Sequence, residues 1–215
     1  MIGELLSVLT NPDVQRELLS QMLTHVTLSG AAVLLAVLAA VPLGIALTRA
    51  PRLAGPVMTV AGLLQTVPSV ALLAFMIPLM GIGSGPALVA LFLYALLPIL
   101  RNTYTGIRGV DPGALEAGRG MGMTSWQLLF MVELPLSFRV IMSGIRVSTV
   151  LIIGWATLAA FVGGGGLGDM IMTGFAMVST GHILAGGIPV TLLALLADFA
   201  LGRLERQVTP QGMRT

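Results

Sequence analysis

The side chains able to do acid–base, nucleophilic or metal chemistry are few in this 215-residue chain and poorly placed for it. It has two histidines, nine carboxylates, eleven arginines, no lysine and no cysteine. Without cysteine there is no disulfide, no thiolate metal site and no cysteine nucleophile. The stretch FVGGGGLGDM (Phe161–Met170) has the glycine density of a phosphate cradle. A P-loop, however, sets Lys and Ser or Thr directly after its last glycine, and here Leu167, Gly168 and Asp169 follow. His25 and His182 fall near the ends of apolar runs, and no two carboxylates share the middle of one. An intramembrane enzyme needs such groups at depth, so that class is disfavoured. His25 is expected to be interfacial rather than a base.

The elements that carry these residues are apolar. The chain is 56% hydrophobic and 9% charged, with a mean hydropathy of +0.97, whereas soluble domains carry about 25% charged residues. A bilayer-crossing helix needs roughly 20 apolar residues. Apolar length predicts five: Gln21–Leu47, Val57–Ile77, Ser84 to about Gly106, Phe138–Val162 and His182–Leu201. The fold class is therefore all-α, a polytopic membrane protein with about five transmembrane helices. Pro42, Pro68 and Pro98 fall inside these runs, which membrane helices tolerate when neighbours re-satisfy the freed backbone. The pI near 9.9 rests on a net charge of only +2, so no nucleic-acid partner is expected. The opening MIGELLSVLTNPDVQRELLS lacks a basic region before an apolar core, unlike a cleavable signal peptide.

Arginine placement predicts the direction of the spans. Arg49 and Arg52 follow the first; Arg101, Arg108, Arg119, Arg139 and Arg146 lie between or beside the third and fourth; Arg203, Arg206 and Arg214 follow the fifth. Only Arg16 falls on the other side. The positive-inside rule then sets the N-terminus outside and the C-terminus in the cytoplasm. Residues 1–20 become an extracytoplasmic segment, 21–206 the transmembrane domain and 207–215 a cytoplasmic tail. Gly163–Gly166 is then expected outside, as a flexible or tightly turned connection, with a binding-protein interface as its candidate role.

The polar island EAGRGMGMTSWQLLFMVELP (Glu116–Pro135) then faces the cytosol. Asp111 and Pro112 suit the N-cap and first position of a helix, and Gly122 suits the left-handed residue that ends it. Thr124 and Gln127 have capping-box spacing for a second helix, which Pro135 should stop or kink. Trp126, Leu129 and Phe130 share one side of that helix, and Glu133 continues the row. Two uses fit: a docking knob, or an amphipathic turn resting on lipid headgroups.

This island resembles the EAA loop of importer-type ABC transporter permeases. Glu116, Ala117, Gly118, then Gly122, then Val132, Leu134 and Pro135 match its spacing, with Gly118 for the second Ala and Val132 for Ile. The resemblance implies an importer-type permease fold in a bacterial inner membrane, with residues 111–135 as the coupling loop. Glu116 and Ala117 would dock on a separate cytoplasmic ABC ATPase subunit, Gly122 would turn, and Leu134–Pro135 would join the loop to the next span. The chain itself would hold no cofactor, since ATP is bound by that partner. It also implies a second permease copy, identical or related, and an extracytoplasmic solute-binding protein.

LLQTVPSVALLAFMIPLMGIG, ALFLYALLPILRNTYTGI and GWATLAAFVGGGGLGD look like the osmoprotectant branch, whose members carry glycine betaine, carnitine and choline. A methionine-importer-like permease is the near alternative. Aromatics that could hold a quaternary ammonium by cation–π contact are scarce, at 5% of residues. Candidate path residues are Gln65, Thr66, Ser69, Ser148, Thr149, Trp155 and Thr157. Intramembrane Ser and Thr more often bond helix to helix or to their own turn than line a path. Arg139 and Arg146 share a helix face and either meet lipid headgroups or find a partner, for which Asp198 is the candidate.

Overall fold

The computed structural model describes residues 2–208; Met1 and residues 209–215, hence Arg214 and most of the expected tail, lie outside the described residues. A short helix, α1 (Ile2–Leu9), precedes α2 (Pro12–Arg49). The long helix starts where it does because the Asn11 side chain accepts the Asp13 N–H at 2.9 Å and Pro12 occupies the first turn, where an N–H is not needed. Its 38 residues span about 57 Å, more than the ~30 Å hydrocarbon layer. The expected span 21–47 is the inner part of this rod.

The second expected span, Val57–Ile77, is broken rather than straight. α3 (Pro51–Thr66) and α4 (Ser69–Met80) meet at 96°. Pro68 disfavours the helical conformation in the residue before it, and Val67 is extended at φ −66° and ψ 129°. A break at membrane depth must have its backbone groups satisfied. The Tyr94 hydroxyl donates to the Val67 carbonyl at 2.5 Å, and the Gln65 amide donates to the Tyr94 carbonyl at 3.0 Å. Among the described residues four helices are long and apolar enough to cross a bilayer, and the bent pair makes a fifth span if taken as one.

At the centre lies α5 (Ser84–Arg108), packed against both α2 and α8 (Leu134–Trp155). Small residues allow this close approach. Ala32, Ala36 and Ala40 of α2 and Ala87 and Ala95 of α5 are fully buried. A Cβ on Gly44 would stand 2.8 Å from Thr103, and one on Gly144 would stand 2.5 Å from the Asn102 Cβ and 2.9 Å from the Pro98 carbonyl oxygen. After α8 the chain tightens into a 3-10 turn, Ala156–Val162, as far as the expected end of the fourth span. A short helix, α9 (Leu167–Ala176), precedes α10 (Thr180–Val208), which extends the expected fifth span at its C-terminal end.

The glycine run is tightly turned. Gly163, Gly165 and Gly166 have positive φ, and a Cβ on Gly164 would press on Ala159 and Ala87 at 3.0 Å. The Gln21 side chain clamps the run, accepting the Gly166 N–H at 2.7 Å and donating to the Asp169 carboxylate at 3.3 Å. His25 corrects an expectation: it is not interfacial but fully buried beneath this turn. One ring nitrogen, Nε2, lies 2.9 Å from the Ile153 carbonyl. A carbonyl only accepts, so Nε2 is the donor. The other, Nδ1, faces Gly166 without a partner.

Candidate functional site

The polar island folds as its capping signals dictate. α6 (Pro112–Gly120) begins where the Asp111 carboxylate accepts the Ala114 N–H at 3.1 Å. Gly122 reverses the chain at φ +79°. α7 (Ser125–Leu128) opens with a complete capping box: the Thr124 hydroxyl accepts the Gln127 N–H, and the Gln127 side chain accepts the Thr124 N–H at 2.8 Å. Glu116 and Ala117 are exposed on α6, whereas Gly118 is buried. A Cβ on Gly118 would lie 2.7 Å from Leu128 Cδ1 and 3.7 Å from Val132. Glycine at this position lets α6 press against the following helix.

Pro135 does not stop that helix. A single π turn, Leu129–Glu133, joins α7 to α8, and the Leu134 N–H bonds the Leu129 carbonyl five residues back. Pro135 has no N–H for the carbonyl four residues before it and its ring crowds that carbonyl. A widened turn removes the conflict, so the rod runs on from Ser125 to Val162. Such π turns are rare and concentrate at functional sites. The turn also redirects the expected row of side chains. Trp126, Leu129 and Phe130 do line one cavity of about 670 Å³ beside α2, and the Trp126 and Phe130 rings stack at 5.9 Å. Glu133 instead turns inward, 2% exposed, and pairs with Arg49 at the end of α2. Val132 and Leu134 are half-buried and Pro135 is exposed.

The candidate path residues do not form one cluster. Gln65 and Trp155 meet at Tyr94, whose ring stands 4.6 Å from Trp155, edge to face. Ser148 is buried between α5 and α8 and donates to the Ala95 carbonyl at 3.1 Å. Thr66, Thr149 and Thr157 bond carbonyls of their own turns. Ser69 is the first residue of α4, just past the bend. Tyr94 was not singled out from the sequence, where it is one of two tyrosines on α5.

At the same end as the island, α8 and α10 are joined by ions. Arg146 Nε and Nη2 donate to the two Asp198 oxygens at 2.5 and 2.6 Å. Glu205 lies 3.8 Å from Arg146 and 3.5 Å from Arg139. The expected partner of Arg146 is thus present. A Cβ on Gly202 would stand 3.0 Å from the guanidinium, so this glycine makes its berth. Among the described residues no group of His, Asp and Glu could hold a metal ion.

This architecture matches known proteins. The family model described as binding-protein-dependent transport system inner membrane component matches residues 18–210. The carnitine transport permease protein OpuCB of Listeria monocytogenes is 56% identical over 197 residues, covering 92% of this chain and 90% of that protein. The choline transport system permease protein OpuBB of Bacillus subtilis (strain 168) is 54% identical, covering 92% and 91%. In fold, the chain is similar to the inward-facing MetNI methionine ABC transporter, with a TM-score of 0.85, 21% identity and coverage of 94% of this chain and 100% of that one. It is also similar to an amino acid ABC transporter at a TM-score of 0.74 and 16% identity, covering 93% and 98%. The chain belongs to the family of binding-protein-dependent transport system inner membrane components and is a multi-pass membrane permease.

Proposed function

We propose that this chain forms the translocation path of an ABC importer for small osmoprotectants such as carnitine, choline or glycine betaine. The observation that carries the substrate class is the run of relatives named for these solutes, at 52–56% identity over 92% of the chain. The likeness to a methionine transporter lies at 21% identity and speaks to fold. The chain hydrolyses no ATP itself. A cytoplasmic ABC ATPase subunit drives it, a second permease copy completes the path, and an extracytoplasmic solute-binding protein delivers the cargo.

Residues 111–135 are the coupling element in this reading. Ten arginines on one side of the expected spans support a cytoplasmic element and C-terminus, with residues 1–20 outside. The exposed Glu116 and Ala117 face the ATPase, and the left-handed Gly122 sets the angle between α6 and α7. The π turn and the Arg49–Glu133 pair pass a movement of α6 to α8 and α2. Gln65, Trp155 and Ser69, near the bend of α3 and α4, are the favoured path positions. A Gly122→Phe variant, tested for co-purification with ATPase subunits, is expected to lose the complex. An intact complex with unchanged solute-stimulated hydrolysis would remove the coupling role.

A further inference from the structure

We propose that the groove between α2 and the rod formed by α7, the π turn and α8 is a binding site for an anionic phospholipid. Its headgroup sits on Arg49, Arg119 and Ser125, and its acyl chains follow the groove toward the membrane interior. Two adjoining cavities make the apolar part. The first, of about 670 Å³, is floored by Pro42, Ile45 and Ala46 of α2; the second, of about 480 Å³, continues along Val37 and Val41. Phe130 lines both. Each exceeds ~300 Å³, the lower end for small-molecule sites. The floor residues belong to the apolar stretch of α2, so the groove runs into the layer that acyl chains fill.

The polar end is cationic. A third cavity of about 170 Å³ at the groove's mouth is lined by Arg49, Arg119 and Ser125. Arg49 spends part of its guanidinium on Glu133 and remains half exposed. Arg119 is exposed and forms no ion pair with any described carboxylate, including Glu116 one turn earlier on α6. Of the two guanidiniums that line this cavity only Arg49 is paired, which leaves a positive charge and free donors for a phosphate. Trp126, 72% exposed and stacked on Phe130, stands between headgroup and chains, the depth at which tryptophan is enriched in membrane proteins. A lipid seated here bridges α6 to α2, so its binding steadies the island whether or not the island couples to an ATPase.

The site is read out by Trp126 fluorescence in the full-length chain. The chain has two tryptophans, so Trp155→Phe leaves Trp126 as the sole reporter. In nanodiscs of phosphatidylcholine, equal mole fractions of acyl-brominated phosphatidylglycerol or phosphatidylcholine are compared as quenchers. Phosphatidylglycerol is expected to occupy the site several-fold better, and Arg119→Gln to reduce that preference roughly fivefold, the effect of one basic residue near an anionic surface. Arg203→Gln, an exposed arginine at the same end of the molecule, should leave the preference unchanged. Equal quenching by both lipids would overturn the proposal. So would absence of quenching by either, which means that a protein surface fills the groove. An equal loss in Arg119→Gln and Arg203→Gln reduces the preference to general surface charge and likewise overturns the site.

Discussion

Arg49, at the last residue of α2, pairs with Glu133, which lies 84 positions later and is almost wholly buried in the π turn. The pair is asymmetric, because the Arg49 side chain is 49% exposed and that of Glu133 is 3% exposed. Removing the arginine strands a carboxylate away from water, whereas removing the carboxylate frees an arginine that can reach it. Arg49→Gln should therefore cost more than Glu133→Gln, by about 1–3 kcal/mol. Thermal unfolding of both single variants and the double variant measures this, and equal losses would mean that the pair is not desolvated as the structure shows.

Two glycines should respond differently to the same methyl group. At Gly144 a Cβ meets the Asn102 Cβ and the Pro98 backbone oxygen, neither of which can yield without moving α5. At Gly118 it meets first the end of the Leu128 side chain, which can rotate. Gly144→Ala is expected to destabilise by about 1–3 kcal/mol as an overpacked contact, and Gly118→Ala by less. Gly118→Val should lower stability clearly, and thermal melts of the three variants rank them.

Arg146 tests geometry against charge. Lysine keeps the charge but cannot place two parallel donors on Asp198. Arg146→Lys should lose part of the α8–α10 tie, and Asp198→Asn should lose at least as much. A melt unchanged in Arg146→Lys would show that only the charge matters.

The N-terminal helix gives a pH dependence. The Glu4 carboxylate accepts the Ser179 hydroxyl at 2.8 Å, and Ser179 caps α10 next to His182. That hydrogen bond first, then the Gly181 N–H, holds the Glu4 carboxyl below its ordinary value of 4.5. A depressed acid stabilises the docked state above its unfolded pKa, and the contribution is lost as pH falls through the folded pKa. Protection of the α1 amides, taken relative to intrinsic exchange at each pH, should thus be steady from neutral pH down to 4.5 and fall below it. Glu4→Gln should exchange faster at neutral pH and show no such step.

What the sequence makes legible follows from how local each signal is. The four straight spans are written as apolar length, which survives whatever they pack against. The caps of α6 and α7 are readable because each acts locally: Asp111 on Ala114, Thr124 and Gln127 on one another, and Gly122 at its own turn. The bend at Val67 is not readable, because a proline in an apolar run predicts a break only when a neighbour such as Tyr94 can satisfy it. His25 misleads for a related reason: its polarity suggests an interface, yet the Ile153 carbonyl, 128 positions away, lets it be buried. Arg146–Asp198 could be anticipated, since two lone charges in adjacent spans must find partners. Arg49–Glu133 could not, because the π turn that rotates Glu133 inward leaves no periodicity to follow.

The most direct measurement is solute uptake into proteoliposomes that hold this chain with its ATPase subunits and binding protein. ATP-dependent accumulation of labelled carnitine, choline or glycine betaine, with none of labelled methionine, is the predicted result. Accumulation of methionine without any of the three osmoprotectants would contradict the account.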